Sequence, residues 1–67
     1  MPEVVITLAA GRSNEVKKQL MLDITQAVMK NCNVPVESVI VEISEYAVTD
    51  KMIGGLTFEE RRKQKGG

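Results

Sequence analysis

The sequence predicts an α/β (α+β) chain built on a single βαβ unit: two parallel strands, one long helix between them, and a short C-terminal hairpin and helix. Three observations predict it. Residues 3–9 and 38–46 are rich in β-branched and apolar side chains that alternate with period two. The segment between them repeats its apolar residues at a helical rhythm, and two strands joined by a crossover of that length run parallel with a right-handed connection. The third observation is size. The chain has 67 residues, one cysteine (Cys32) and no histidine, so no intrachain disulfide is possible and one subunit cannot build a zinc or haem site. A domain of this length buries only about 60% of the surface that its unfolded chain exposes, and a single helix covers one face of a two-stranded sheet. Oligomerisation is expected to complete the fold.

In the first strand Val4, Ile6 and Leu8 share one face and Val5 and Thr7 the other, so both faces are expected to be covered. Ala9-Ala10-Gly11-Arg12 breaks the alternation. Ser13 or Asn14 then offers a side-chain oxygen to cap a helix that starts near residue 14, and Glu15 suits its positive end. Val16, Leu20, Ile24, Ala27 and Val28 form one apolar stripe. Met21, Leu22 and Met29 lie off that stripe and are expected either to widen the core face or to touch another subunit. Asn31-Cys32-Asn33 and Pro35 end the helix near residue 32.

In the second strand Val39, Val41 and Ile43 face one way, and Ile40, Glu42, Ser44 and Tyr46 the other. Ala47 to Lys51 reads as a loop and Gly54-Gly55 as a turn within a short hairpin. Thr57 to Lys65 reads as a short helix capped by Thr57. Its acidic residues Glu59 and Glu60 come first and its basic residues Arg61, Arg62, Lys63 and Lys65 last, the order that the helix dipole favours. Gly66-Gly67 is expected to fray. With no internal repeat and no linker, residues 1–67 are expected to form one domain.

Nine basic residues balance nine acidic ones, so no net field draws the chain to nucleic acid or to a membrane surface. Tyr46 and Phe58 are too few aromatics for a base-stacking platform. No apolar run approaches the roughly 18–20 residues of a membrane span, and no signal-peptide pattern is present. A cytoplasmic protein without nucleic-acid or membrane partners is expected.

Pro2 is the candidate for chemistry. A methionine ahead of a residue as small as proline is normally trimmed, which leaves a cyclic secondary amine at the N-terminus. An α-amino group has an unperturbed pKa of about 7.7–8.0. Modest burial or a neighbouring cation therefore leaves it neutral at physiological pH, as a general base in a chain without histidine. The alternative is that Pro2 only permits removal of Met1 and starts an edge strand.

Pro2, the Gly11-Arg12-Ser13 turn, Pro35 before a Val-rich strand, Glu45, and Ile53-Gly54-Gly55 occur in this order and spacing. Together they resemble the 4-oxalocrotonate tautomerase family over residues 2–56, leaving 57–67 as a C-terminal tail. The resemblance implies short βαβ subunits in a homo-oligomer, a hexamer assembled as a trimer of dimers. It implies a proton-transfer enzyme without metal or cofactor, acting on small enol or 2-oxo acids. Pro2 is then the catalytic base and Arg12 the ligand for a substrate carboxylate, which its planar fork can bind through two parallel hydrogen bonds. Outside this pattern Arg12 reads as a solvated turn residue.

The sequence departs from the best-known members of the family at two substrate-contacting positions. Ile40 stands where they carry a second arginine, so a far carboxylate would meet an apolar surface. Mono-acids such as phenylenolpyruvate are expected to be preferred over diacids such as 2-hydroxymuconate. Lys51 stands where they carry an aromatic residue that lines the pocket. It either restores positive charge from another direction or faces solvent. Tyr46 offers a hydroxyl to the substrate or packs at a subunit contact, and Glu42 and Glu45 read as strand-surface or interface charges. A second class of function fits the same departures, a non-enzymatic oligomeric binding protein that keeps the fold. Retention of Pro2 and Arg12 favours the tautomerase.

Overall fold

A computed structural model describes residues 1–64. The predicted helical position of Lys65 and the fraying of Gly66-Gly67 lie outside the described residues. The strand β1 (Glu3–Ala9) is followed by the helix α1 (Asn14–Cys32), a single 3-10 turn (Val36–Ser38) and the strand β2 (Ile40–Tyr46). A hairpin of β3 (Met52–Ile53) and β4 (Leu56–Thr57) leads into the helix α2 (Phe58–Gln64). β1 and β2 are parallel and in register from Glu3 opposite Ile40 to Ala9 opposite Tyr46. The βαβ unit predicted from the sequence is the architecture observed.

The ends of α1 follow from its sequence. Ser13, in extended conformation, accepts a hydrogen bond at Oγ from the Val16 amide at 3.2 Å, a cap of a kind that contributes about 1 kcal/mol. At the other end Asn33 takes the left-handed conformation and its N–H bonds to the Met29 carbonyl at 3.0 Å, an arrangement that asparagine tolerates better than most residues.

The helix packs against β2 on a face that shares Leu20, Ile24 and Val28 with the predicted stripe, takes in Met21 and Met29, and leaves Val16 and Ala27 out. Leu20, Met21, Ile24, Val28 and Met29 are half-buried, while Val16 stays 53% exposed and Leu22 47% exposed. Met21 and Met29 therefore belong to the core face, which is rotated by about one residue from the stripe through Val16. Met21 reaches Ile43 of β2, the two lining one groove, as suits a flexible unbranched side chain. The second strand also starts later than predicted. Residues 36–38 form the 3-10 turn instead, in which the Ser38 amide and hydroxyl both donate to the Pro35 carbonyl at 3.1 and 2.9 Å. That local closure competes with strand pairing until Ile40.

In β1 and β2, residues Val4, Ile6, Val41 and Ile43 are half-buried beneath α1, whereas Val5 is 59% and Ile40 40% exposed on the opposite face. No described residue is fully buried. The radius of gyration is 15.4 Å, against about 11 Å for a compact chain of this length. Among the described residues one copy is thus an open layer, with Val5 and Ile40 exposed on its second face.

Two further details position the C-terminal segment. Gly54 and Gly55 both have positive φ (63° and 85°), which a two-residue hairpin turn demands and only glycine adopts without strain. Thr57 then caps α2 in a reciprocal box. Its hydroxyl accepts from the Glu60 amide at 3.1 Å, while Glu60 Oε1 accepts from the Thr57 amide at 2.8 Å and from the Thr57 hydroxyl at 3.0 Å.

Candidate active site

The predicted site residues are divided between the two ends of the sheet. Pro2 and Ile40 lie at its amino end, where the Ile40 amide donates to the Pro2 carbonyl at 3.0 Å. Arg12 and Lys51 lie at its carboxyl end. Six residue steps from Glu3 to Ala9 at about 3.3 Å each separate these ends by about 20 Å. A single copy does not bring Pro2 and Arg12 together.

At the carboxyl end, Gly11 with φ of 125° turns the chain out of β1 and Arg12 folds back, donating from Nη1 to the Ala9 carbonyl at 3.2 Å. The direction of that carbonyl matters. The Pro2 carbonyl and the Ala10 amide both bond to β2 (Ala10 N to Tyr46 O, 2.8 Å), and main-chain groups alternate sides along a strand. The polar groups of Glu3, Val5, Thr7 and Ala9 therefore point to the free edge of β1. Arg12 sits at that edge.

Lys51 is exposed but not solvated on all sides. Its ammonium lies 4.5 Å from the centroid of the Tyr46 ring and 5.6 Å from that of Phe58, and the two rings meet edge to face at 5.7 Å and 88°. One exposed cation–π contact contributes about 0.5–1 kcal/mol, less than the roughly 1.5–2 kcal/mol lost on freezing a lysine side chain. Two rings bring the attraction level with that cost, so the ammonium has a preferred place. Tyr46 makes this contact within its own chain. Phe58 was not among the predicted site residues. The signal for it was the Gly54-Gly55 turn, because pairing of Met52 with Thr57 sets Lys51 opposite Phe58.

Elsewhere, Asn14, Lys17, Lys18, Met21, Ile43 and Glu45 line an open groove between α1 and β2. Lys17 Nζ donates to Glu45 Oε1 across it at 3.1 Å. None of the predicted site residues lines this groove. Among the described residues no three His, Cys, Asp or Glu side chains converge as a metal site, and no helix is long and apolar enough to cross a membrane.

Comparison with known proteins bears on this arrangement. The model of the tautomerase enzyme family matches residues 2–61, which carries the match through β4 into α2. A probable tautomerase of Bradyrhizobium diazoefficiens is 46% identical over 61 residues, 91% of each chain. A 4-oxalocrotonate tautomerase isozyme from Methylibium petroleiphilum has the same fold at a TM-score of 0.87 and 28% identity, covering 94% of this chain and 98% of that one. A heterohexamer 4-oxalocrotonate tautomerase from Chloroflexus aurantiacus matches at a TM-score of 0.84 and 32% identity, covering 90% of this chain and 97% of that one. The chain belongs to the tautomerase family, and that membership supports an isomerase of the tautomerase class.

Proposed function

We propose that the protein is a cofactor-independent tautomerase of small enol and 2-oxo acids, with the amine of Pro2 as general base once Met1 has been removed. The proton balance is simple. The amine takes the enol O–H proton, the O–H electron pair becomes the C=O bond, and the C=C pair takes the proton back from the ammonium at carbon. A base that returns its proton works best with a pKa near the operating pH, which suits an α-amino group. Arg12 is the carboxylate ligand.

We further infer a homo-oligomer in which each site is completed between copies, and a hexamer is the assembly that the Chloroflexus relative suggests. The observation that carries this reading is the position of Arg12 at the free edge of β1, with Pro2 at the far end of the same strand. β1 is the more apolar strand on both faces, as expected of a strand in the interior of a sheet. Antiparallel pairing of two copies of β1 about a two-fold axis near Ile6 sets Pro2 of one copy beside the Ala10–Arg12 end of the other.

The test combines intact mass with an assay on phenylenolpyruvate. Protein lacking Met1 is expected to catalyse ketonisation. Protein retaining Met1, whose Pro2 nitrogen is an amide, is expected to be slower by a factor of about 10² or more. Equal activity of the two forms would assign the base to another group.

A further inference from the structure

We propose that Arg12 is a latch on the free edge of β1 which pairing with a second copy opens. In a lone chain the guanidinium holds the Ala9 carbonyl; on assembly the Glu3 amide of the second copy takes that carbonyl and releases Arg12 to a substrate carboxylate. The proposal rests on the β1 pairing inferred above and adds to it an arginine that is engaged before assembly and available after it.

The main chain carries the first step. The Ile40 amide donates to the Pro2 carbonyl and the Ala10 amide to the Tyr46 carbonyl, so the Ala9 carbonyl faces away from β2. Arg12 Nη1 donates to it at 3.2 Å. Gly11, at a φ of 125°, makes the bend that returns Arg12 to the strand it has just left. A paired strand would stand about 4.8 Å from β1, and a guanidinium 3.2 Å from an outward carbonyl lies within that space.

Antiparallel pairing about Ile6 sets Val5 opposite Thr7 and Glu3 opposite Ala9. All four turn their main-chain groups outward, so each pair can exchange two hydrogen bonds. The Ala9 carbonyl then has two claimants, the Arg12 guanidinium of its own chain and the Glu3 amide of the second copy. The amide arrives with the rest of the ladder and with burial of Val5, which is 59% exposed in one copy. Against these the guanidinium sets a single exposed hydrogen bond, which contributes little.

The latch serves both states. In a lone chain a charged side chain folded along the edge of an apolar strand blunts indiscriminate pairing. In the assembly the released guanidinium, which holds no carboxylate among the described residues, can offer both of its parallel N–H groups to one. Carboxylate binding and assembly draw on the same open state, so each favours the other.

The experiment uses the processed protein without ligand and reads, by sedimentation velocity, the concentration at which half of the copies are paired. Arg12→Ala is expected to pair at a concentration about threefold lower than the wild type, because no latch has to open. Lys18→Ala, which removes a positive charge from the same end of α1 and no latch, should pair as the wild type does. Unchanged or weaker pairing of Arg12→Ala, or equal tightening by Lys18→Ala, would overturn the proposal. The Ala9 carbonyl carbon reports the exchange of partners directly by NMR. Val5→Pro removes an outward amide and spares the β1–β2 bonds, so it should hold the copies apart. On that background Arg12→Ala should shift the Ala9 carbonyl signal, and in the assembled protein the same substitution should leave it in place. Equal shifts in both states would overturn the latch, since the guanidinium would then keep its carbonyl on assembly. If Val5→Pro does not fold, the pairing series decides alone. Amide exchange separates this from failure of the pairing itself. Unprotected Glu3, Val5 and Thr7 amides in the assembled protein would refute the β1 pairing and the latch together; protected amides without tightening in Arg12→Ala would refute the latch only.

Discussion

The two ends of the β1–β2 sheet are built in different ways. At the amino end Pro2 and Ile40 meet through one main-chain hydrogen bond, with an apolar side chain 40% exposed and no ionic group held in place. At the carboxyl end a turn, a hairpin and a capped helix converge to fix an arginine, a lysine and two aromatic rings around the Ala9–Tyr46 pair. On the proposed function, the contrast is one between a base that must change its protonation state and an arginine that must not. A proton carrier works near an apolar surface, where the neutral amine is favoured. Cations that bind an anion work best when held before the substrate arrives. On that reading, the separation of about 20 Å within a chain makes assembly part of the proposed catalytic apparatus.

The strongest way to break this comparison is to divide the ends between copies. A Met1-retaining copy has an intact Arg12 end, and an Arg12→Ala copy has an intact Pro2 end. Each is expected to be nearly inactive alone. After joint unfolding and reassembly in equal amounts, random two-fold pairing should restore about a quarter of the wild-type sites. No recovery, with light scattering showing mixed assemblies, would mean that each site draws both residues from one copy. A stable monomer at micromolar concentration would undo the argument earlier still, since no described residue is fully buried in one copy.

Arg12→Ala alone tests the carboxyl end. Removing a charge-assisted, two-pronged carboxylate ligand should lower kcat/KM about a hundredfold.

Most of the fold was legible in the sequence because it is set by local rules. Period-two runs gave β1 and β2, Ser13 and Pro35 bounded the helix, Gly54-Gly55 made the hairpin turn, and Thr57 capped α2. What escaped was tertiary. The choice between Val16 and Met21 as the inward residue depends on where β2 lies relative to α1, which periodicity does not specify. The candidate site is readable in the sequence as a set of residues but not as an arrangement. Pro2, Arg12, Ile40 and Lys51 stand out through their family positions, and only the parallel register reveals that they fall into two pairs at opposite ends. Phe58 lies beyond the quoted motifs, so its contact with Lys51 became visible only when the hairpin closed.

The amino end can be sharpened by giving it the charge that it lacks. Wild-type protein is expected to prefer phenylenolpyruvate to 2-hydroxymuconate in kcat/KM, because a far carboxylate beside Ile40 would be desolvated without a cation. Ile40→Arg should raise the diacid-to-monoacid ratio about tenfold, the magnitude of a partly exposed charge-assisted hydrogen bond. An unchanged diacid-to-monoacid ratio in Ile40→Arg would show that the tail of the substrate does not lie against this position.

The smallest expected effect concerns the cap that holds the carboxyl end together. Hydrogen bonds from the Thr57 amide and then the Thr57 hydroxyl, with a further contribution from Lys63, hold the Glu60 carboxyl below its ordinary value of 4.5. A carboxylate whose pKa is lower in the folded state adds stability that is fully present above the unfolded value and is lost as pH falls through the folded one. The box should therefore be intact at neutral pH and open as pH falls through the lowered value of the Glu60 carboxyl. Opening it frees the first turn of α2, whose second anchor is the Phe58–Lys51 contact. Between pH 7 and pH 3, the protection of the Thr57 and Phe58 amides, measured against their intrinsic exchange rates at each pH, should fall before that of the Ile40 amide at the other end. The Glu60 carboxyl should titrate below 4.5 by NMR, and Glu60→Gln should remove the pH dependence of α2 while leaving the Pro2 end unchanged. Loss of protection at Ile40 first, or an ordinary titration of Glu60, would mean that the box does not order the carboxyl end.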